Sequence, residues 1–141
     1  MYISRRSICN LKIYLASRYL RRDELREYRK QLKDLGHEIT SRWLAERKDQ
    51  TSTMHDLQSA QHEVIATRDL EDIDAADMFV VFGNEPRNQK RGGHWVELGY
   101  AIGKGKEAVV LEEQENSFCF LESITFYKTF EEFLEGLNGR T

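Results

Sequence analysis

The densest group of chemistry-bearing positions in the chain is Gly92-Gly93-His94-Trp95-Val96-Glu97-Leu98-Gly99-Tyr100-Ala101. Paired glycines ahead of a helix let the backbone approach a ligand and leave amide hydrogens pointing at it. A helix N-terminus also carries positive partial charge. Glu97 falls near that first turn, where the dipole favours its ionised form. Without further context the plainer reading is a solvated glutamate at a helix start. Arg91 stands just before the glycine pair, and its planar fork suits a phosphate dianion; the plainer reading is one more loop charge beside Arg87 and Lys90. His94 can bind phosphate or cap the helix. Trp43, at the end of a predicted strand, can stack on a nucleobase or belong to the core or a dimer interface.

The elements that must position these residues alternate along the chain. Residues 11–16 form a short apolar, β-prone run containing Tyr14, which taken alone is a buried strand tyrosine. Leu25, Tyr28, Leu32 and Leu35 recur at helical spacing and stop at Gly36, a helix C-cap. Residues 37–43 read as a second strand. Leu57, Ala60, Val64, Leu70 and Ile73 mark a long amphipathic helix, broken near Thr67. Met78-Phe79-Val80-Val81-Phe82 has the uninterrupted apolar character of a strand buried on both faces. A loop over 83–92 leads into a helix over 93–104, in which Gly99 and Gly103 suggest close packing against the sheet. Strands over 107–111 and 124–127 follow, and Phe130, Phe133, Leu134 and Leu137 line a last helix. This alternation predicts a single-domain, doubly wound parallel α/β sheet of about five strands, flavodoxin- or Rossmann-like, with residues 1–10 as an extension of domain 11–141. Ligands in such sheets bind beyond the carboxyl ends of the strands, at the topological switch point. Ser17-Arg18-Tyr19, Arg42-Trp43 and Arg91-Gly92-Gly93-His94 all fall there.

Composition limits the functional classes. The 141 residues carry 21 basic and 24 acidic side chains, net charge -3, which leaves no electrostatic footprint for a nucleic-acid polymer. Charge is uneven: residues 1–30 hold nine Lys/Arg against three acids, residues 107–141 eight acids against two bases. Solvated helix faces of opposite sign account for this, as does a basic rim beside an anionic ligand. Two cysteines, Cys9 and Cys119, are too few for a disulfide framework, and four scattered histidines make no metal site. No apolar run approaches the roughly 18–20 residues of a membrane span. Ser4-Arg5-Arg6-Ser7 lacks the apolar stretch an export signal requires. A cytoplasmic location is therefore expected, with no membrane partner.

Three segments taken together carry a family likeness. Ile13-Tyr14-Leu15-Ala16-Ser17, then Arg68-Asp69-Leu70-Glu71-Asp72-Ile73-Asp74-Ala75-Ala76-Asp77, then Gly-Gly-x3-Glu-Leu-Gly-x-Ala-x3-Gly-Lys, resemble the nucleoside 2-deoxyribosyltransferase family over roughly residues 11–127. Closest in character are its smaller 2'-deoxynucleoside 5'-phosphate N-hydrolases. The resemblance implies cleavage of an N-glycosidic bond through a covalent glycosyl-enzyme, with no cofactor. It makes Glu97 the nucleophile on C1', Tyr14 the residue that orients it, and Asp69 the group that protonates or holds the leaving base. Asn116 matches a polar residue lent to the site by a neighbouring subunit. A homodimer or larger homo-oligomer is expected, for which Phe118, Phe120 and Tyr127 are candidate contacts, or else core.

Those residue types suit that chemistry. Glycosidic cleavage passes through an oxocarbenium-like state, stabilised by an anion on one face of the sugar and a proton donor for the base. Carboxyl groups roughly 5–5.5 Å apart give the retaining, covalent route. Asp69 would have to keep its proton near neutral pH, through burial or an adjacent negative charge. It is otherwise one of several acids on an exposed helix end. One departure from the family separates the substrates. Nucleoside transferases place a carboxylate six residues before the nucleophile, and the 5'-phosphate hydrolases a phosphate-contacting hydroxyl; this chain has Arg91. Ser17 and Arg18 match positions where the hydrolases hold phosphate. With Arg91, Gly92 and Gly93 they favour a nucleoside 5'-monophosphate, whose sugar passes to water or to a second base. A phosphoribohydrolase ranks lower, because Trp95 and Val96 break its motif. The alternative from another class is a non-catalytic nucleotide-binding or sensing module on the same fold.

Overall fold

The computed structural model describes residues 10–45, 58–84 and 92–140. Strands β1 (Lys12–Ala16), β2 (Glu38–Ile39), β3 (Met78–Phe82), β4 (Glu107–Leu111) and β5 (Ile124–Tyr127) form one parallel sheet, in the order β2-β1-β3-β4-β5. Helices α1 (Arg22–Asp34), α2 (Ser59–Asp74), α3 (Gly93–Gly103) and α4 (Phe130–Asn138) complete the doubly wound α/β domain. The central strand β3 is buried throughout, as an apolar run without alternation requires. α1 ends at Gly36, whose φ of +100° favours glycine, with the His37 amide bonded back to the Leu32 carbonyl at 3.1 Å.

Side chains alternate across a strand, so Phe79 and Phe82 lie on opposite faces of the sheet. On one face Tyr14 pairs in register with Phe79, and their rings stack 5.6 Å apart. On the other, Tyr28 of α1 stacks between Phe82 of β3 (5.4 Å) and Phe130 of α4 (4.0 Å). Aromatic pairs at such spacings contribute about 0.5–1.5 kcal/mol each beyond their buried area. α2 and α3 pack together on the Tyr14 face.

Three expectations are corrected. The second strand is two residues long, not seven. Beyond Ile39 the chain leaves the sheet and turns into a 3-10 segment, Arg42–Ala45. β1 runs on to Ala16, so its exposed edge needs other partners. The Ser41 hydroxyl accepts from the Leu15 amide at 3.2 Å, and the Trp43 indole donates to the Leu15 carbonyl at 2.9 Å. Side chains thus replace a strand. Second, α2 passes Thr67 without a break, since a β-branched residue costs a helix only a few tenths of a kcal/mol. Its apolar positions do not all face inward: Ile73 is buried, whereas Val64 is 68% exposed. Third, Gly99 and Gly103 do not pack on the sheet. Both are exposed, and a Cβ at either would meet nothing within 4 Å. The buried stripe of α3 is His94, Leu98 and Ala101, not the side that carries the two glycines.

Candidate active site

The strand order reverses between β1 and β3, and the crevice of such a sheet opens beyond their carboxyl ends. β1 brings Tyr14 there, fully buried. α2 brings Asp69 five residues before its C-terminus, and α3 brings Glu97 in its second turn. The Tyr14 hydroxyl donates to Glu97 Oε2 at 3.1 Å, joining residues 83 positions apart in sequence. Glu97 is partly buried rather than solvated. α3 can begin where it does because Gly92 takes a left-handed conformation, φ +80°, which favours glycine, and its carbonyl accepts the first helical amides, Trp95 at 3.0 Å and Val96 at 3.1 Å.

The electrostatics of the group are unusual for surface-derived acids. Burial, then the charge of Asp69, pushes the Glu97 carboxyl up to about 8. Burial also lifts Asp69, to about 6, against the opposing pull of Arg68, whose Nη2 lies 3.5 Å from Oδ1. Asp69 and Glu97 interact directly, so the pair titrates as a unit and carries one shared proton near neutral pH. Desolvation and the Glu97 charge raise the Tyr14 hydroxyl as well, keeping it a donor. One anion, one proton and one fixed hydroxyl therefore meet beside the switch point of the sheet. That set can attack an electrophilic carbon and protonate a leaving group.

The other expected positions divide. Ser17 and Arg18 lie at the exit of β1, both half-buried, with the Ser17 hydroxyl donating to the Arg18 carbonyl at 2.8 Å. Gly92 and Gly93 open α3. Arg91 lies outside the described residues. Trp43 is only 7% exposed and spends its indole N–H on Leu15, so it supports β1 and offers little face to a base. Asn116 caps the 3-10 turn Ser117–Phe120, accepting from the Phe118 amide at 3.0 Å. His94 is buried, its ring 4.8 Å from that of Trp95. Phe118 and Phe120 are exposed, and Tyr127 packs on Phe133. Sequence reasoning passed over Ser41 and took Asp72 as one of several acids. Asp72 is buried and bound by Arg42, and its place one turn after Asp69 was the available signal.

Among the described residues no helix is long and apolar enough to cross a membrane. No curated protein matches the chain by sequence. In three dimensions it is similar to a 2-deoxyribosyltransferase of the psychrotolerant bacterium Bacillus psychrosaccharolyticus, with 22% identity, a TM-score of 0.65, and 86% of this chain and 89% of that chain covered. It is also similar to a CMP N-glycosidase of Clostridium botulinum, with 18% identity, a TM-score of 0.58, and coverage of 90% and 98%. At such identities these likenesses speak for the fold. The sequence match to the nucleoside 2-deoxyribosyltransferase family runs over residues 13–138, from the residue before Tyr14 to the last of α4. The chain therefore belongs to the nucleoside 2-deoxyribosyltransferase family and is an enzyme of glycosyl transfer or N-glycosidic cleavage.

Proposed function

We propose that the protein cleaves the N-glycosidic bond of a (deoxy)nucleoside 5'-monophosphate through a covalent glycosyl-Glu97 intermediate. The observation that carries this reading is the Tyr14–Glu97 hydrogen bond beside Asp69 in a partly buried group at the switch point. Asp69 supplies the proton to the departing base, and ionised Glu97 bonds to C1' as the C1'–N bond breaks. The pair shares one proton near neutral pH, so that proton must be set on Asp69, with Glu97 ionised, before attack. A sugar entering between the carboxyls does this. It separates them, and the positive charge growing at C1' favours the anion at Glu97. Tyr14 then holds one Glu97 oxygen, leaving the other to attack. Asp69, now ionised, accepts a proton from water as the glycosyl-enzyme is hydrolysed; a second base in place of that water gives transfer.

A 5'-phosphate is favoured by the glycine-opened N-terminus of α3 and by Ser17 and Arg18 at the exit of β1. The structural likeness to a CMP N-glycosidase points the same way. The test is incubation with a panel of nucleosides, deoxynucleosides and their monophosphates, with chromatography for free base, alongside Glu97→Gln. Base release confined to monophosphates and abolished by Glu97→Gln is expected. Equal release from nucleosides removes the phosphate. Nucleotide binding without release from any substrate leaves a sensing module.

A further inference from the structure

One buried acid takes no part in the chemistry just described. Asp72 lies on α2 one turn beyond Asp69, with its side chain 7% exposed. Both its carboxylate oxygens are engaged by one residue: Oδ2 accepts from the Arg42 amide at 2.9 Å and Oδ1 from Arg42 Nε at 2.8 Å. The Asp72 carbonyl accepts from the Thr40 hydroxyl at 2.8 Å. The 40–43 segment that grips α2 here is the one that completes the edge of β1, through Ser41 and Trp43 on Leu15. Leu15 adjoins Tyr14. A continuous set of hydrogen bonds thus runs from the strand that carries Tyr14 to the helix that carries Asp69. It bridges two elements that share no ladder.

We propose that Asp72 is a positioning residue: by clamping α2 to the Arg42–Ala45 turn, it sets where Asp69 stands relative to Tyr14 and Glu97. The placement is informative because a surface ion pair would not need a buried carboxylate. The Arg42 side chain is 58% exposed, so the pair leaves its acid in the interior and its base outside. Burying the acid has a cost that a merely solvated helix end would avoid. The Asp72 charge also strengthens proton retention by Asp69, whose other charged neighbours are Glu97 from α3 and Arg68 on its own helix, with the Tyr14 hydroxyl facing from β1. Position and charge both act through Asp69.

The inference rests on the catalytic reading of Asp69 and Glu97, and a double-mutant cycle separates the two. Base release is measured for wild type, Asp72→Asn, Asp69→Asn, the double variant and Glu97→Gln, with folding followed by circular dichroism. Asp72→Asn should lower kcat about tenfold with KM within a factor of two, and should cost nothing further in the Asp69→Asn background. Arg42→Ala, which leaves the backbone contact to Asp72, should give a smaller loss with the same pattern and keeps the test open if Asp72→Asn fails to fold. The same fractional loss in both backgrounds, or an unchanged kcat, overturns the positioning role while Glu97→Gln remains inactive. Wild-type protein that releases no base overturns the catalytic reading and this inference with it.

Discussion

Two groups of charged side chains sit at the carboxyl end of this sheet, and they are built on opposite rules. On one, Arg21 uses all five N–H donors: Nε and Nη2 on Glu24 at 2.8 and 2.7 Å, Nη1 and Nη2 on Glu112 at 2.8 Å each, and Nη1 on the Gly83 carbonyl at 3.0 Å. The hydrogen bond from Arg21 holds the Glu24 carboxyl below its ordinary value. On the other, Glu97 and Asp69 face each other and Tyr14, and both are pushed up. A carboxylate with a well-placed guanidinium is a fastener. A pair left to share one proton is held away from its relaxed state, which is where acid–base and nucleophilic work is found. The first group ties the start of α1 to the ends of β3 and β4; the second destabilises the fold it occupies.

That contrast can be broken most directly at Glu97. Glu97→Gln should reduce base release by about three orders of magnitude or more, measured in single-turnover assays. Asp69→Asn should cost roughly 100-fold, less for substrates whose base leaves easily, because a general acid contributes about 10²–10⁴. Tyr14→Phe should lower kcat about tenfold with little change in Tm. It also removes the hydrogen bond that favours the Glu97 anion, so the acidic limb of the pH–rate profile should move to higher pH. A loss no greater than this on Glu97→Gln would make the proton-sharing pair a structural accident.

The same contrast predicts opposite stability effects. Glu97 has its folded pKa raised above that of an ordinary glutamate. The folded state is favoured fully while the group is protonated, and that favour is lost as pH rises from about 4.5 towards 8. Glu97→Gln, which mimics the protonated form, should therefore raise stability by on the order of 2 kcal/mol at pH 8.5, with the gain gone at pH 4, as read by thermal melts. Arg21→Met should do the reverse and cost about 3 kcal/mol at pH 7, because it leaves two carboxylates close together without their cation. The activity of its remaining folded fraction should change least of all the variants. A stabilising Arg21→Met, or a destabilising Glu97→Gln at alkaline pH, would dissolve the distinction.

Different parts of the molecule were legible in the amino acids to different degrees. β3 was, because five buried residues in a row leave no alternation to misread; so was α1, because Gly36 punctuates a regular apolar stripe. β2 was not. Residues 37–43 have the composition of a strand, but whether Ser41 and Trp43 continue a ladder or cap another strand's edge depends on what lies beside them. The face of α3 was misjudged for a related reason. Gly99 and Gly103 permit close packing but do not compel it, and the sheet approached from the side of Leu98 and Ala101.

Residue type and spacing alone determined the alternation of strands and helices, the end of α1 and the three segments that mark the family. These follow from local preferences and side-chain period, which a linear chain carries with it. Only the tertiary structure decided that Glu97 points inward to Tyr14, that it shares a proton with Asp69, and that Asp72 is sealed beneath Arg42. Burial and the neighbouring charges set a carboxyl's proton affinity, and both arise from residues dozens of positions away that meet only when the sheet assembles.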